Sequence, residues 1–502
     1  MAQYGYLSTS LTQRGVVFLI LVYVNLHALS EQDVVFGREN YVEQNVSINL
    51  EHSVFTVSEK FLSVAIDASM MRNHWPHINF TSEKFYTLAR GLSPAFLRVG
   101  GTSADFLIYN DSSGYNKFKN VTNFTITHED LDKIHLLSSK ANWNVMFGLN
   151  VLLRQKDGSW NASNPKQIMQ YVAESDYHFG WELGNEPDHF KTYFNKSVST
   201  EELAEDFKTL RAILKSTPQF GNFLVGPDVT TVGNHSRAAL FLESFVSRAK
   251  DVIDAVTWHQ YYLDGRTCTM KDFYNPDVLD KLLHELEEAN DILDKLDPDT
   301  PRWLGETSSA YGGGAPGLSD RYGAGFLWLD KLGLAARMRH EVVIRQTFAG
   351  GNYALLNNDL DPNPDYWLSL LYKRLVGVKV LEVNGGTEEK RTTRVYAHCA
   401  SRKYPVGAVT LLVLNIHNLD PAGLKLTGSL QQKQVEEYLL TTENSDLTSK
   451  TVRLNGKLLK LVDDHTFPDL IPAIVPGDKP LILPPLTFGF YVIPGASAGG
   501  CR

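Results

Sequence analysis

Two patterns of apolar and polar positions divide the chain. Between residues 60 and 350, eight short apolar runs of β type alternate with stretches whose apolar residues recur at helical spacing. The runs are residues 62–67, 96–101, 144–150, 180–186, 223–229, 256–262, 302–307 and 342–349. Amphipathic segments such as residues 200–215 and 276–296 lie between them. This alternation predicts an α/β fold in which a (β/α)8 TIM barrel occupies residues 61–375.

The remaining sequence has the alternation of antiparallel strands. Residues 394–398, 408–415, 434–441 and 486–493 alternate apolar and polar positions, and Gly, Pro and Asn separate them. They predict a C-terminal antiparallel β-sandwich over residues 376–502. Residues 31–60 also contain a strand-like run, at residues 54–57. We expect these N-terminal strands to pair with the C-terminal domain and not with the barrel.

Residues 1–30 have the features of a signal peptide. Arg14 precedes an apolar run over residues 15–24, and residues 28–30 are suited to cleavage by a signal peptidase. The run is shorter than the ~20 residues of a bilayer span. We therefore expect a protein that is secreted to the extracellular matrix or delivered to lysosomes, with no integral membrane segment after signal removal.

Secretion gives meaning to the glycosylation sequons and the cysteines. The Asn-x-Ser/Thr sequons are Asn45, Asn79, Asn110, Asn120, Asn123, Asn161, Asn195 and Asn234. An oxidising compartment predicts one disulfide among Cys268, Cys399 and Cys501, but their spacing does not select the pair. Since no two of the cysteines have metal-ligand spacing, we expect no metal site.

Composition limits the classes of partner. The 502 residues carry a formal net charge of −9, with 43% hydrophobic and 21% charged residues, which is typical of a globular protein. Since proteins that bind polyanions are more often basic, any anionic ligand must be met by a local patch. We expect no nucleic-acid partner and no cofactor, and a monomer.

Two glutamates follow apolar strands in distinctive contexts. The fourth run ends at Glu186 within residues 181–187 (WELGNEP), and the seventh carries Glu306 one residue before its end. The carboxyl ends of barrel strands are where catalytic groups lie, so both side chains are expected at one mouth. Glycoside hydrolysis needs one protonated and one ionised carboxyl group. The preceding Asn185 favours Glu186 as the acid/base, because its amide can hold the sugar 2-hydroxyl.

Longer motifs point to a family. Residues 181–187 and 305–316 (GETSSAYGGGAP), with matching segments at residues 258–262, 265–266, 326–334, 351–353 and 364–371, resemble glycoside hydrolase family 79, the heparanase family. The resemblance runs from about residue 54 to the end. It implies a retaining (β/α)8 endo-β-glucuronidase that cleaves heparan sulfate-type glycosaminoglycans by a double displacement.

The resemblance also implies residue roles. Glu186 corresponds to the proton donor and Glu306 to the nucleophile. Ten positions that contact or surround the substrate uronate are implied by it: Asp67, Thr102, Asn185, His259, Tyr261, Gly312, Gly313, Gln346, Gly351 and Tyr353. Three basic residues that flank the family's cleft are retained: Lys117, Lys119 and Arg266. The family disulfide corresponds to Cys399–Cys501, which leaves Cys268 free and buried.

The chain departs from the family pattern near its cleft. The family carries a long insert after the second strand that is excised during maturation, whereas here residues 105–109 run through 110–115 directly into 116–120. Residues 229–235 lack the usual lysines and arginines, and Ser69 stands where an asparagine is usual. These departures bear on sulfate preference and on activation, not on the hydrolytic chemistry.

Two alternatives remain open from the sequence. One is an exo-β-glucuronidase that trims terminal uronates from less sulfated glycans. The other is a non-catalytic heparan sulfate-binding protein of the same family. Retention of Glu186, Glu306, Asn185 and Tyr261 argues against a pure binder, which has no need of them.

Overall fold

A computed structural model describes residues 41–110, 123–386 and 391–502. In chain order its strands are β1 (Val42–Thr56), β2 (Leu62–Asp67), β3 (Ala95–Gly100), β4 (Leu107–Tyr109), β5 (Phe124–Ile126), β6 (Trp143–Leu149), β7 (Phe179–Leu183), β8 (Val225–Val229), β9 (Ala255–Asp264), β10 (Arg302–Tyr311), β11 (Val342–Arg345), β12 (Val376–Gly385), β13 (Thr393–Ala400), β14 (Val409–Asn415), β15 (Ala422–Leu426), β16 (Val435–Thr441), β17 (Arg453–Leu454), β18 (Lys457–Leu458), β19 (Ala473–Val475), β20 (Leu481–Leu483) and β21 (Thr487–Ile493). Its α-helices are α1 (Ser69–Arg72), α2 (Glu83–Gly91), α3 (His128–Ala141), α4 (Ser163–Glu174), α5 (Phe190–Phe194), α6 (Thr200–Ser216), α7 (Arg237–Ala249), α8 (Pro276–Leu296), α9 (Ala324–Arg337) and α10 (Pro364–Leu375).

Eight parallel strands form the predicted barrel. Their order is β7-β6-β3-β2-β11-β10-β9-β8. The Trp181 amide donates to the Phe223 carbonyl at 2.9 Å, and a parallel bridge joins Trp181 to Leu224, so β7 and β8 meet at the seam. The (β/α)8 prediction is confirmed, and each of the eight predicted runs contains a strand.

Three of the differences between predicted and observed strand ends concern residues of the site. Strand β7 stops at Leu183, so Glu186 lies in the loop beyond it and not at the strand end. Strand β10 continues past Glu306 to Tyr311, because its later residues still pair with β9. Strand β11 stops at Arg345, which places Gln346 in the following loop.

The long helices begin where the sequence supplies caps. Helix α6 starts after Ser199, whose hydroxyl accepts from the Glu202 amide while the Glu202 carboxylate accepts from the Ser199 amide. Helix α8 starts after Asn275, with Pro276 as its first residue. Both helices bury one apolar face, which fits the amphipathic pattern that predicted them.

The second sheet has eleven strands and is antiparallel except where β1 runs parallel to β15. Its main path is β18-β17-β16-β21-β14-β13-β12-β1-β15-β20. Asn415 of β14 donates to the Leu483 carbonyl of β20 at 3.1 Å, although these strands are far apart in the order. The sheet therefore curls over a core of its own, which includes Val46, Leu411 and Leu424.

The opposite face of this sheet packs on the barrel. The ring of Tyr322 stacks on Phe488 with centroids 4.8 Å apart, and Tyr396 donates to Asp330 of α9 at 2.6 Å. These contacts belong to one apolar cluster that continues into the barrel helices. The sheet is thereby fixed against the outer layer of the barrel.

The cysteines are arranged as the family resemblance implies. Cys399 and Cys501 form a disulfide with Cα atoms 5.5 Å apart, across a sequence separation of 102. Cys268 is free, as expected, but it is only partly buried, so the expectation of a buried thiol is wrong. The apolar run of residues 1–30 lies outside the described residues. Within the described ranges, no helix combines the length and the apolarity needed to cross a membrane.

Candidate active site

A cleft of about 1100 Å³ opens at the carboxyl ends of the barrel strands. Predicted site residues that line it are Asp67, Thr102, Glu186, His259, Tyr261, Arg266, Glu306, Gly312, Gly313, Gln346, Gly351 and Tyr353. Asn185 lies beneath the floor, and Lys117 falls in residues 111–122, outside the described part of the chain. The barrel thus brings together side chains from strands that are distant in sequence.

Glu186 is held in an uncommon backbone conformation. Its φ and ψ of 53° and 52° lie in the left-handed region, which few residues other than glycine adopt. The Glu186 amide donates to the Asp228 carbonyl at 2.9 Å, and its carboxylate lies 3.0 Å from His259 Nδ1. Backbone and side chain are therefore both fixed, with the carboxylate at the cleft surface.

Glu306 is the more deeply set carboxylate, with 8% of its surface exposed. Tyr261 donates its hydroxyl to Oε1 at 2.7 Å, and Arg98 donates to Oε2 at 2.7 Å. Burial alone raises the pKa of Glu306, but the charges of His259 and Arg98 and these hydrogen bonds outweigh it, so the pKa lies below its ordinary value. Glu306 is therefore kept ionised.

His259 joins the two carboxylates electrostatically. Its Nε2 lies 3.2 Å from Asp228 Oδ1, while Nδ1 faces Glu186. Burial lowers the pKa of His259, but the charge of Glu306 and the hydrogen bonds to Asp228 and Glu186 raise it to about 10. The imidazole is consequently a cation at neutral pH, with both ring nitrogens donating.

A buried charge network beneath the cleft was not foreseen from the sequence. Arg98 contacts Glu182 Oε2 at 2.8 Å and Asn185 Oδ1 at 3.0 Å, and it lies 3.9 Å from Asp228. Burial raises the pKa of Glu182 to about 8, although the neighbouring Arg98 opposes the rise. The sequence signal that could have revealed this network is a charged residue inside an apolar strand, namely Arg98 in residues 96–100 and Glu182 in residues 180–183.

Glu186, His259 and Glu306 each place one ligand-type atom within 4.8 Å of the others. Such a group has the composition of a metal site. Here, however, Asp228 and Glu186 occupy the two nitrogens of His259, while Tyr261 and Arg98 occupy the oxygens of Glu306. The donor atoms are already satisfied, and the charge of His259 opposes a cation.

One side of the cleft presents neutral donors. Gln346 donates to Asp67 Oδ2 at 3.1 Å, and the Tyr353 ring stacks on Tyr261 at 6.3 Å. Burial raises the pKa of Tyr353 well above its ordinary value, so its hydroxyl remains a donor. Gly312 and Gly313 have φ of 78° and 85°, and a Cβ there would meet nothing within 4 Å. Glycine is therefore required by the backbone conformation, and both residues line the cleft.

Other predicted positions lie at the margins. Arg266 is exposed at the rim and forms a two-pronged ion pair with Asp264, at 2.8 and 2.7 Å. Exposed sequon asparagines among the described residues are Asn45, Asn79, Asn110, Asn123, Asn195 and Asn234. Asn161 is half-buried, and Asn120 lies in the part of the chain that is not described.

A TIM barrel with paired glutamates at its mouth defines a glycoside hydrolase of the two-carboxylate class. The family model "Glycosyl hydrolase family 79, N-terminal domain" matches residues 47–333. The chain belongs to this family.

Relatives support this assignment along nearly the whole chain. Heparanase of Gallus gallus is 40% identical over 506 residues, which cover 91% of this chain and 96% of that protein. Inactive heparanase-2 of Homo sapiens is 33% identical over 533 residues, covering 91% and 89%. The solved structure of a 4-O-α-L-rhamnosyl-β-D-glucuronidase from Fusarium oxysporum covers 89% of this chain and 100% of its own, with a TM-score of 0.67. At 18% identity it attests to the fold alone.

Proposed function

We propose that the protein is a retaining endo-β-glucuronidase that cleaves heparan sulfate-type chains. The observation that carries the proposal is the pairing of Glu186 with Glu306, one carboxylate oxygen of each lying within 4.8 Å of the other. Retaining glycosidases hold their carboxyl groups about 5–5.5 Å apart, and inverting ones about 6.5–9.5 Å. This separation supports the retaining mechanism over the inverting one.

The first step would be displacement by Glu306. Its ionised carboxylate attacks the anomeric carbon, the bond from that carbon to the leaving oxygen breaks, and Glu186 passes its proton to that oxygen. A glycosyl ester on Glu306 results. Tyr261 and Arg98 hold the nucleophile in position, since each occupies one of its oxygens.

The second step reverses the role of Glu186. A water molecule replaces the departed sugar, Glu186 takes its proton, and the water oxygen attacks the anomeric carbon of the ester. The product keeps its β configuration and Glu306 is released as a carboxylate. His259 Nδ1 lies 3.0 Å from the Glu186 carboxylate and helps to hold it in position for this step.

The substrate's uronate is assigned to the side of the cleft with neutral donors. The amides of Gly312 and Gly313 and the hydroxyl of Tyr353 would bind its carboxylate, and Asp67 its ring hydroxyls. Thr102, Gln346 and Gly351 line the same region. Neutral donors bind a carboxylate without adding a second positive charge next to Glu186 and Glu306.

The assay that tests this uses heparosan-type polymers, unsulfated and sulfated. We expect internal fragments early in the reaction, and β-configured reducing ends when proton NMR observes fresh product. Release of single glucuronates would favour exo action, and initial α product would favour inversion. Binding without any cleavage would favour the non-catalytic alternative, whose precedent is the relative named inactive heparanase-2.

A further inference from the structure

Largely exposed aromatic side chains concentrate at the cleft. Among the described residues, the large apolar side chains that remain exposed include two aromatic ones, Tyr193 at 59% and Tyr311 at 45%. Both line the cleft, whereas the aliphatic members of the set, such as Leu240 and Val406, lie outside its lining. Exposed apolar surface in a groove commonly marks a ligand site.

Tyr193 is exposed but firmly supported. It belongs to α5, in which Phe190 is fully buried and Phe194 packs edge-on against Phe106 with centroids 4.7 Å apart. Phe190 and Phe194 are four residues apart and so share the buried face of this turn. Tyr193 projects beside that face, and its ring packs against His189 at 5.4 Å. The result is a positioned ring with a free surface.

The position of Tyr193 in the chain indicates which side of the cleft its ring occupies. Tyr193 lies in α5, seven residues after Glu186 in the segment that follows β7, and both side chains line the cleft. The acid/base must face the oxygen of the departing sugar. The Tyr193 ring therefore lies on the acid/base side of the cleft, where the departing sugar is expected.

Charge on this side is sparse. Arg237 donates to Thr192 Oγ1 at 3.4 Å, and the described residues place no carboxylate within 4.0 Å of it. Arg266, the other arginine lining the cleft, is already paired with Asp264. Arg237 is therefore the guanidinium on this side that is free to meet a charged substituent.

We propose that Tyr193 forms a leaving-group subsite that stacks one face of a hexosamine ring, with Arg237 placed to bind a single sulfate on that sugar. The inference rests on the proposed function, because it takes the leaving group to be the amino sugar that follows the cleaved uronate. A subsite of this kind selects chains of low sulfation. Binding energy from stacking in this subsite can stabilise the transition state at the reacting centre. Loss of the stacking should therefore lower turnover of substrates long enough to fill the subsite.

The test compares two substrates that differ in what reaches the subsite. Glucuronyl fluoride carries no leaving sugar, whereas an unsulfated heparosan chain fills the subsite. For Tyr193→Ala we expect kcat/KM on the polymer to fall about tenfold relative to that on the fluoride. Tyr193→Phe keeps the ring and should retain the wild-type ratio. Leu240→Ala, another exposed apolar residue but outside the cleft lining, is the matched control.

For Tyr193→Ala, an unchanged ratio of kcat/KM on the polymer to kcat/KM on the fluoride would overturn the subsite. If the wild-type enzyme hydrolyses neither substrate, the proposed function fails instead. The subsite is then judged by the Kd of a heparosan oligosaccharide for the wild-type protein and Tyr193→Ala. An unchanged Kd sinks it, and a Kd raised about tenfold supports it.

Arg237 is tested by sulfation. Arg237→Gln should lower the ratio of kcat/KM on an N-sulfated polymer to that on the unsulfated polymer about tenfold, since one charge-assisted contact is lost. Equal effects on both polymers would show that Arg237 does not read the sulfate.

Discussion

Arg98 donates to Oε2 of Glu306 at 2.7 Å from a position where only 1% of its surface is exposed. The same guanidinium donates to Oε2 of Glu182 at 2.8 Å, so one buried cation serves two buried carboxyl groups. Removing one partner of such a group leaves charge without compensation in a medium of low dielectric constant. Glu306 and the interior of the barrel are therefore coupled through this arginine.

Arg98→Met should reveal this coupling. The substitution preserves much of the apolar stem but leaves Glu182 and Glu306 unpaired, and we expect a loss of about 3–5 kcal/mol in the free energy of unfolding. Denaturant titration measures it. Arg266→Met breaks an ion pair at the exposed rim and should leave the unfolding midpoint nearly unchanged. Equal midpoints for both variants would contradict the role of Arg98.

Replacing each of the two glutamates in turn tests whether both are needed, and labelling tests which one is the nucleophile. Glu186→Gln and Glu306→Gln should each lower turnover of polysaccharide at least about a thousandfold with folding intact, because the first loses the proton donor and the second the nucleophile. Glu341→Gln, at the other end of the barrel, is the control. Mass spectrometry of protein treated with an activated uronate analogue should locate the adduct on Glu306. An adduct on another residue would remove this assignment.

The fall in kcat/KM on the acidic side of the pH profile, its acidic limb, should reflect protonation of Glu306. Its pKa is lowered, so kcat/KM should persist below the pH at which an ordinary glutamate is protonated, and it falls only once Glu306 takes up a proton. Since the leaving oxygen needs a proton from Glu186, activity should also decline at high pH, leaving an optimum on the acidic side of neutrality. Maximal activity above pH 7 would contradict this.

Tyr261→Phe should move that limb. The variant removes the hydroxyl that donates to Glu306 Oε1, so the pKa of Glu306 rises and the limb shifts to higher pH. Tyr262→Phe is the matched control, since the neighbouring side chain points away from the cleft and contacts Lys331. A limb that stays in place in Tyr261→Phe would show that this hydrogen bond does not tune the nucleophile.

The disulfide should stabilise the C-terminal sheet. The Cys399–Cys501 bond closes a loop with a sequence separation of 102, which the chain-entropy estimate values at about 4–5 kcal/mol. Cys501→Ser should lower the free energy of unfolding by an amount of this order, and Cys268→Ser should leave it nearly unchanged. Peptide mapping of the oxidised protein should find Cys268 as a thiol, and its recovery in a bridge would refute the pairing.

We expect the enzyme to be active as one continuous chain. The sequence between residues 110 and 120 is too short to replace the excised insert that the family resemblance implies, although residues 111–122 lie outside the described structure. The check is to purify uncut protein, verify a single band after reduction, and measure turnover before and after limited proteolysis. Negligible turnover until cleavage near Gly114 would contradict it.

The barrel could be predicted because its strands are buried on both faces. Such strands appear as continuous apolar runs, and residues 62–67 match β2 fully. The end of β10 could not be predicted, since Ser308 and Ser309 read as the start of a loop. They remain in the strand because β9 offers partners as far as Asp264.

The paired glutamates Glu186 and Glu306 could be predicted as site residues because each lies at the end of an apolar run in a recognisable motif. Arg98 and Asp228 were missed because their significance depends on which inner faces meet inside the barrel. That information comes from the closure of the sheet and is absent from any single strand. The stacking role inferred for Tyr193 depends in turn on exposure, which only packing decides.

Strand β1 pairs with β12 and β15, so the first described strand belongs to a sheet whose other members come after the barrel. On the ribosome, β1 emerges early and waits for its neighbours while the whole barrel is synthesised. Throughout that interval it presents unpaired backbone edges, which are a hazard for association with other chains. Productive biogenesis would then depend on shielding this segment by a chaperone until translation is complete.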